Sequence, residues 1–220
     1  MNKRWEILPI DEKKQILLEK NLHISSSLAE ILTRKNLDEN SAKLFLNPTK
    51  IPYHDPFLLK DMEKACQRLL LALKNKEKIC IYGDYDVDGV SSTALLMTVF
   101  TKLGFNIDYY LPDRHSEGYG LHIESLQKLI PKYDLLITVD CGITALDEVD
   151  YAKNKIDMII TDHHLPREIL PDAFAIINPT QTQCIYPNKN LCGVGVAFKL
   201  CQGLYQSLNK DIHELENYLD

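Results

Sequence analysis

The sequence predicts an α/β protein, with a mostly parallel, doubly wound sheet preceded by an N-terminal helical extension. From residue 79 onward, short runs of β-forming apolar residues alternate with segments of helical periodicity, as in chains built from strand-helix units. Residues 1–75 lack the alternation that is typical of strands and show only helical patterns. We therefore predict a helical extension over residues 1–75 and an α/β domain over residues 76–220.

The extension contains helical patterns separated by one proline-rich connector. Apolar residues recur at helical spacing after the serines at 25–27, within residues 38–46 and within residues 62–73. The serines are candidates for a helix N-cap. Residues 48–56 hold three prolines and are expected to form an ordered, extended connector.

The α/β domain is predicted to repeat a unit of strand, loop and helix. One apolar run, at residues 135–139, has no polar alternation, which indicates a strand buried on both faces of the sheet. The predicted strands are residues 79–81, 106–111, 135–139, 158–160 and 174–177, and the predicted helices are residues 91–102, 122–130, 144–153 and 193–208.

A candidate metal site follows the first predicted strand. Asp84, Asp86 and Asp88 alternate there, directly before a glycine. At the carboxyl ends of parallel strands the loops open into a crevice where ligands bind. Carboxylates this close repel one another, and a divalent cation allows all of them to stay ionised. The pattern therefore predicts a site for a hard metal ion.

Two other interpretations of this segment exist. An EF-hand calcium loop also begins with alternating aspartates and a glycine, but it needs a glutamate at its twelfth position and a helix on each side. Counting from Asp84, the twelfth residue is Leu95, and a predicted strand precedes the motif. These two departures argue against an EF-hand. A plain acidic turn is the second alternative, and it would not predict the residues that end the following strands.

Two further predicted strands end in residues that bind metals. Asp140 follows the third strand, and the triplet of Asp162, His163 and His164 follows the fourth. Because parallel strands place their carboxyl ends at one edge of a sheet, we expect these side chains to converge with the first acidic motif. Carboxylates with one or two imidazoles suit Mn²⁺ or Mg²⁺ better than zinc. Two such ions about 3.5 to 4 Å apart activate water and neutralise phosphate charge, so the cluster predicts hydrolysis of phosphoesters.

Composition limits the possible partners and compartments. A net charge of −6 gives no overall positive field, so a nucleic acid would have to be bound locally or through metal. The six cysteines form no C-x-x-C pair, and we predict buried free thiols rather than a zinc site or disulfides. The first ten residues do not resemble a signal peptide, and no stretch of about 18 apolar residues occurs. We expect a soluble, cytoplasmic protein.

On these motifs the chain resembles the DHH phosphoesterase superfamily, named for the triplet at residues 162–164. Within it, the chain is most similar to the RecJ family of single-strand-specific exonucleases, and the resemblance covers nearly the whole chain. The segments that carry it are residues 45–48, 55–56, 83–89, 114 with 117–120, 139–142, 162–164, 178–179 and 191–198.

The resemblance implies two divalent ions, Mn²⁺ or Mg²⁺, and assigns their ligands. Asp86 would bind the first ion, Asp88 would bind the second, and Asp140 would bridge both. His163 would join the second ion, oriented by Asp162. These assignments make Asp140 both a metal ligand and a catalytic residue.

His164 would face the scissile phosphate, as a contact or a proton donor, which makes it a catalytic candidate. Where the superfamily often carries a histidine ligand this chain has Tyr82, and a phenol is a poor Mn²⁺ ligand at neutral pH. The first ion is therefore expected to be weak or to be held with the help of Asp84, a further catalytic candidate. The superfamily also places an aspartate ligand shortly beyond residue 220. The α/β domain is accordingly expected to be incomplete, with weakened or absent activity alone.

Four residues are candidates for binding the substrate. Arg114 could clamp a phosphate through its guanidinium fork. Tyr119 could stack on a base, as could Tyr85. Gly193 could bring a backbone amide to the substrate at the start of a helix. For each of them a plain alternative stays open, namely a solvated loop arginine, ordinary tyrosines, and a glycine required by helix packing.

The resemblance implies a metal-dependent 5′-to-3′ exonuclease that acts on single-stranded DNA in recombination and repair, with a single-strand-binding protein as a partner and no membrane. One alternative is a phosphodiesterase for small oligonucleotides or cyclic dinucleotides. Such relatives usually begin close to the first motif, so the helical extension argues against this alternative. The other is an inactive, truncated module that binds nucleic acid or a partner protein without cleaving.

Overall fold

A computed structural model describes residues 9–47 and 53–219 of the chain. The chain divides into two compact units, residues 1–53 and 54–220. Most of the predicted proline-rich connector, residues 48–52, lies outside the described residues. The predicted domain boundary after residue 75 stays a prediction.

The first unit is helical in its described part. Side chains of Ser25 and Asp38 cap the second and third of its helices, each by accepting a backbone N–H three residues on. Sequence patterns alone do not predict the first helix, because Leu18 is its only buried residue and its apolar periodicity is weak. The helices are α1 (Glu12–Leu22), α2 (Ser26–Arg34) and α3 (Glu39–Leu46), and their buried hydrophobic residues are Leu18, Ala29, Leu32 and Ala42.

The second unit contains the predicted alternation of strands and helices. Its elements are α4 (Met62–Asn75), β1 (Lys78–Tyr82), α5 (Val87–Leu103), β2 (Asn106–Tyr110), α6 (Ile123–Leu129), β3 (Leu135–Val139), α7 (Leu146–Ala152), β4 (Asp157–Thr161), β5 (Ala175–Ile177) and α8 (Gly193–Ser207), with 3-10 segments at Pro56–Leu58, Ile130–Lys132 and Ile212–Tyr218.

The five strands form one parallel sheet in the order β2-β1-β3-β4-β5. One hydrophobic core lies between the sheet and α4, α5 and α8, and a second lies between the sheet and α6 and α7. Every residue of β3 is buried, as the absence of alternation predicts. The doubly wound α/β fold is therefore confirmed. The chain passes from β1 to β2 on one side of the sheet and from β3 to β4 on the other side. A crevice therefore opens between the carboxyl ends of β1 and β3.

The helix after the first acidic motif begins earlier than the sequence predicts. The serines at 91–92 suggest a start there, whereas α5 begins at Val87. Asp86 is its N-cap, because one of its carboxylate oxygens accepts the backbone N–H of Gly89 at 3.0 Å. A side chain on Gly89 would lie 2.5 Å from the carbonyl oxygen of Asp84, so only glycine lets the chain turn this tightly. The earlier start places Asp88 on the helix rather than in the loop.

The cysteines are free, and five of the six are buried as predicted. Cys192 is the exception, because it is the N-cap residue of α8 and lies at the surface. Within the described ranges, no helix combines the length and the apolar composition needed to cross a membrane.

Candidate functional site

Loops from three neighbouring strands meet at the carboxyl edge of the sheet. Strand β3 pairs with both β1 and β4, so the residues that follow these three strands are adjacent in space. Two groups of side chains there could each hold a metal ion, with one ligand atom per residue and all ligand atoms of a group within 4.8 Å of one another. One group is Asp84, Asp86 and Asp140, and the other is Asp140, His163 and His164.

Two carboxylates of this cluster are buried and only partly compensated. Asp84 and Asp140 are each 1% exposed. Both carboxylate oxygens of Asp84 lack a hydrogen-bond partner among the described residues. Oδ1 of Asp140 forms no regular hydrogen bond there and lies 3.1 Å from Nε2 of His163. A buried, unpaired carboxylate is costly unless a cation or a proton neutralises it. The site therefore fits a divalent cation on the evidence of its own donor atoms.

Burial also alters the acidity of these groups. It raises the pKa of the Asp84 carboxyl. Burial first, and then the charges of Asp88 and Asp86, raise the pKa of Asp140 to about 8. Without a metal ion, Asp140 thus holds a proton over most of the neutral range.

The backbone and a glycine fix the position of Asp140. Its φ angle is +61°, in the left-handed region, and its N–H donates to the carbonyl oxygen of Thr161 at 3.0 Å. The first residue of α8, Gly193, packs directly against its carboxylate. A side chain on Gly193 would lie 2.6 Å from Oδ1 of Asp140. Close packing on the Asp140 carboxylate thus requires glycine at this position, and the assignment of Gly193 to substrate binding stays a prediction.

The structure places Asp88 beside the two ligand groups. Its carboxylate oxygens accept the backbone N–H groups of Gly193 at 2.5 Å and Val194 at 2.6 Å, at the first turn of α8. One oxygen also lies 3.6 Å from Nε2 of His163. The assignment of Asp88 as a metal ligand stays a prediction, and its visible role is to hold α8 against the cluster.

Asp162 organises the two histidines. Its oxygen Oδ1 accepts the backbone N–H groups of His163 at 2.7 Å and His164 at 3.1 Å, and lies 2.7 Å from Nδ1 of the His164 ring. Its other oxygen accepts the N–H of Ile143 at 3.0 Å. Burial alone would raise the pKa of Asp162, but the hydrogen bonds from His164 and Ile143 outweigh it and lower that pKa. The same contact to Asp162 raises the pKa of His164.

The two histidine rings therefore have different partners. The resemblance predicts that Asp162 orients His163, yet its bond to that residue is to the backbone, and the ring that it contacts is that of His164. Nε2 of His163 lies instead 3.1 Å from Oδ1 of Asp140. His163 thus faces the carboxylate that the two ligand groups share, and His164 is held at the rim.

Two residues outside the predicted set of site residues donate hydrogen bonds to the backbone of His164. The fully buried amide of Asn178 donates to the carbonyl oxygen of His164 at 2.9 Å, and the hydroxyl of Thr180 donates to the same oxygen at 3.2 Å. Asn178 follows β5 directly, so its position at a strand exit was a signal that could have identified it.

Residues 111–120, which follow β2, bring the predicted substrate-binding side chains to the same edge. The hydroxyl of Tyr119 donates to the carbonyl oxygen of Asp140 at 3.2 Å and lies 3.4 Å from both ring nitrogens of His164. Its ring is half exposed and meets the ring of Tyr85 edge to face, with the centroids 6.5 Å apart. The guanidinium carbon of Arg114 lies 5.4 Å from the Tyr85 centroid. Arg114 is therefore held over an aromatic ring beside the site.

Residues 78–220 match the profile of the DHH family, N-terminal domain. The chain belongs to the DHH family. It is 43% identical over 215 residues to the single-stranded-DNA-specific exonuclease RecJ of Bacillus subtilis, a match that covers 96% of this chain and 27% of that protein. This DHH chain thus spans about a quarter of the length of that relative.

Solved structures agree with this assignment. A crystal structure of exonuclease RecJ bound to manganese superimposes with a TM-score of 0.66 at 34% identity, over 73% of this chain and 41% of that one. The structure of RecJ in complex with Mn²⁺ from Thermus thermophilus gives a TM-score of 0.73 at 27% identity, over 96% of this chain and 31% of that one. The resemblance on which the sequence analysis rests is confirmed.

Tyr82, which occupies the place of a common histidine ligand of the superfamily, points into the core in this DHH chain. Its side chain is fully buried among the residues packed against α6 and α7. Its hydroxyl donates to the carbonyl oxygen of Gly120 at 3.0 Å, and burial raises its pKa. The Tyr82 hydroxyl is bonded to Gly120, whereas Asp84 is a member of the first group of candidate ligands. Asp84, rather than the phenol, thus accompanies Asp86 in the first group.

Replacing Tyr82 with phenylalanine is expected to leave the metal site intact. The variant loses one buried hydrogen bond, so we expect its free energy of unfolding, measured in urea, to fall by about 1 kcal/mol. Its Kd for Mn²⁺, measured by calorimetry, should stay within about twofold of the parent's, because the ring keeps its packing. Tyr109→Phe, at a half-exposed position on β2, is the control. A tenfold loss of Mn²⁺ affinity in Tyr82→Phe would show instead that the phenol belongs to the metal site.

Proposed function

We propose that this chain is the metal-binding part of a phosphodiesterase that degrades single-stranded DNA from its 5′ end. The observation that carries the proposal is Asp140, which is common to both ligand groups and whose buried Oδ1 lies 3.1 Å from Nε2 of His163. A shared carboxylate between two ligand groups is the arrangement of two-ion phosphoryl-transfer sites. The similarity to exonucleases named for single-stranded DNA supports the choice of substrate.

We assign the metal ligands from the two groups of side chains and reserve the more exposed His164 for the phosphate. Asp84, Asp86 and Asp140 would hold one Mn²⁺ or Mg²⁺ ion, and Asp140 with the imidazole of His163 would hold a second. Asp88, next to His163, would complete that second set. Bound ions would supply Lewis-acid stabilisation of the phosphate charge and a more acidic water.

His164 is the proposed phosphate-contacting residue. Asp162 holds its ring through Nδ1, and the raised pKa of His164 favours the protonated imidazolium. A fixed cation at the rim of an anionic cluster attracts a phosphate oxygen and can deliver a proton to a leaving oxygen. The carbonyl contacts from Asn178 and Thr180 keep His164 at this position. His164 therefore acts on the substrate while the cluster behind it carries the metal.

Tyr119 and Arg114 provide the proposed contacts to the DNA strand. An exposed tyrosine face suits stacking by any unpaired base, and an arginine beside it suits a backbone phosphate. Because the net charge of the chain is −6, these local contacts and the metal ions have to hold a polyanion that the overall field repels. This requirement favours an open, single strand, whose bases can reach the tyrosine.

Three further parts of the proposal rest on the resemblance. They are cytoplasmic action in recombination and repair, a single-strand-binding protein as a partner, and a boundary near residue 75 between the helical extension and the catalytic domain. Pull-down of this chain with a single-strand-binding protein, with and without oligo(dT), tests the partner.

The test of the function compares the parent with His164→Gln. Both proteins are titrated with Mn²⁺ by calorimetry and incubated with single-stranded DNA labelled at the 5′ end, at the 3′ end, or annealed into a blunt duplex. We expect Mn²⁺ binding by the parent, early release of labelled mononucleotide from the 5′-labelled single strand, stepwise shortening of the 3′-labelled single strand, and no cleavage of the blunt duplex. In His164→Gln we expect cleavage to fall by about 100-fold or more while Mn²⁺ binding is retained.

Other outcomes separate the alternatives. Cleavage of dinucleotides or cyclic dinucleotides but not of longer strands would favour a small-substrate phosphodiesterase. Mn²⁺ and oligo(dT) binding with no cleavage of any substrate would favour the binding module. A parent that does not bind Mn²⁺ would contradict the metal centre itself.

A further inference from the structure

Glu117 lies at the centre of a hydrogen-bond network that touches none of the proposed metal ligands. One of its carboxylate oxygens accepts the hydroxyl of Tyr110 and the hydroxyl of Ser125, the latter at 2.9 Å. The other accepts the backbone N–H of Asp113 at 2.8 Å. The Glu117 side chain is only 20% exposed, and Nζ of Lys128 lies 4.0 Å away. A carboxylate with three donors is well satisfied and strongly held.

The three donors come from three different parts of the fold. Tyr110 ends the edge strand β2, Asp113 begins the loop that follows it, and Ser125 lies on α6. Hydrogen bonds from Tyr110 and then from Asp113 lower the pKa of Glu117, so the acceptor is ionised at neutral pH. One carboxylate thus ties the loop of residues 113–120 to the sheet and to a helix.

Backbone contacts close the same loop. The N–H groups of Glu117 and Gly118 donate to the carbonyl oxygen of Asp113 at 2.9 and 3.3 Å. At its far end the loop is held by the hydroxyl of Tyr82, which donates to the carbonyl oxygen of Gly120. The loop therefore has one anchor at Glu117 and one at Gly120, with Tyr119 between them.

The loop carries Arg114 and Tyr119, the two side chains that are proposed to contact the DNA strand. Arg114 lies near the start of the loop and contacts the ring of Tyr85. Tyr119 lies near the end of the loop and contacts both that ring and the carbonyl oxygen of Asp140. Ordering an exposed loop only when DNA binds would cost affinity, because each immobilised side chain loses rotamer freedom. A loop that is already fixed avoids this cost.

We propose that Glu117 is a positioning residue for the nucleic acid strand: it fixes residues 113–120 so that Arg114 and Tyr119 form a preordered binding surface beside His164. The inference rests on the proposed function, since it assumes that these side chains contact DNA. Glu117 itself contacts neither substrate nor metal. Its loss should therefore weaken DNA binding and leave the metal site unchanged.

The experiment compares Glu117→Ala, Tyr110→Phe and the control Glu124→Gln, an exposed position on α6. Binding of fluorescent oligo(dT) is followed by anisotropy, Mn²⁺ binding by calorimetry, and loop order by hydrogen exchange. For Glu117→Ala we expect oligo(dT) affinity to fall by about tenfold or more, from the loss of charge-assisted hydrogen bonds. The amides of Asp113 and Gly118 should exchange faster, and the Kd for Mn²⁺ should stay within about twofold of the parent's, since no proposed ligand moves.

Tyr110→Phe removes only the hydroxyl and keeps the ring, so it should show the same changes to a smaller degree. This variant keeps the test valid if Glu117→Ala folds poorly. Normal oligo(dT) affinity in Glu117→Ala, despite faster exchange in the loop, would overturn the inference. So would a parallel loss of Mn²⁺ affinity, oligo(dT) affinity and melting temperature, which indicates a general structural role. If the parent binds no oligo(dT), both the proposed function and this inference are overturned. This outcome differs from failure of the inference alone, because it is seen in the protein before any residue is substituted.

Discussion

Replacing Asp140 with asparagine is expected to reduce Mn²⁺ affinity by about 100-fold or more, because both groups of candidate ligands lose the carboxylate that they share. Asparagine is the appropriate substitution. It keeps the size of the side chain, and like aspartate it tolerates the left-handed φ of +61° at this position. The affinity is measured by calorimetry on protein stripped with EDTA. A variant that binds Mn²⁺ as tightly as the parent would contradict the shared-ligand geometry.

The same substitution should stabilise the protein when no metal is present, and more so at high pH. The pKa of Asp140 rises from 3.8 to about 8 on folding, so between these values the folded chain holds a proton that the unfolded chain releases. This contribution to stability is complete at low pH and is lost as the pH rises toward 8. Asparagine carries no charge, so Asp140→Asn should melt above the parent at pH 8, with a difference that narrows toward pH 4.

Thermal melting in EDTA between pH 4.5 and 8.5 measures this difference. Asp147→Asn, at an exposed position on α7, is the control for an ordinary change of surface charge. Parallel curves for the parent and Asp140→Asn across the whole range would show that burial does not hold a proton on Asp140. With Mn²⁺ in excess the difference should narrow, because the parent binds the ion more tightly and is stabilised more by it.

Much of the fold and of the site follows from sequence patterns. Buried strands without polar alternation predict a parallel sheet, and a parallel sheet predicts that Asp84, Asp140 and the histidines of the triplet meet at one edge. Both expectations hold because topology alone brings strand exits together, whatever the rotamers of the side chains.

The direction in which each side chain points could not be predicted in this way. Moving the start of α5 from residue 91 to Val87 turns Asp88 toward the first turn of α8, and no local pattern reveals that α8 will lie there. Tyr82 is similar, because its partner Gly120 belongs to a loop about forty residues later in the chain. Asn178 and Glu117 were visible as residues of shared motifs, but their acceptors and donors lie on other elements, so their roles required the folded structure.

Gly193→Ala should damage the metal site from outside its ligand set. The added methyl group would lie 2.6 Å from Oδ1 and 2.8 Å from Cβ of Asp140, closer than such atoms can approach. Either the carboxylate must rotate away from the cluster or α8 must move and release Asp88. We expect Mn²⁺ affinity to fall by about tenfold or more and the free energy of unfolding to fall by about 1 to 3 kcal/mol, as is usual for overpacking.

Gly195→Ala is the matched control for this prediction. It lies in the same turn of α8, and the three atoms nearest to its added methyl group would be side-chain atoms of Leu191 and Cys192, at 3.4 Å or more. Alanine is favoured over glycine within a helix by about 1 kcal/mol, so this variant should be at least as stable as the parent and bind Mn²⁺ equally. Equal behaviour of the two alanine variants would contradict the close packing of Gly193 on Asp140. At pH 8 without metal, Asp140→Asn is expected to raise the stability of the protein and Gly193→Ala is expected to lower it. The two variants therefore distinguish the loss of the Asp140 charge from the displacement of the Asp140 carboxylate.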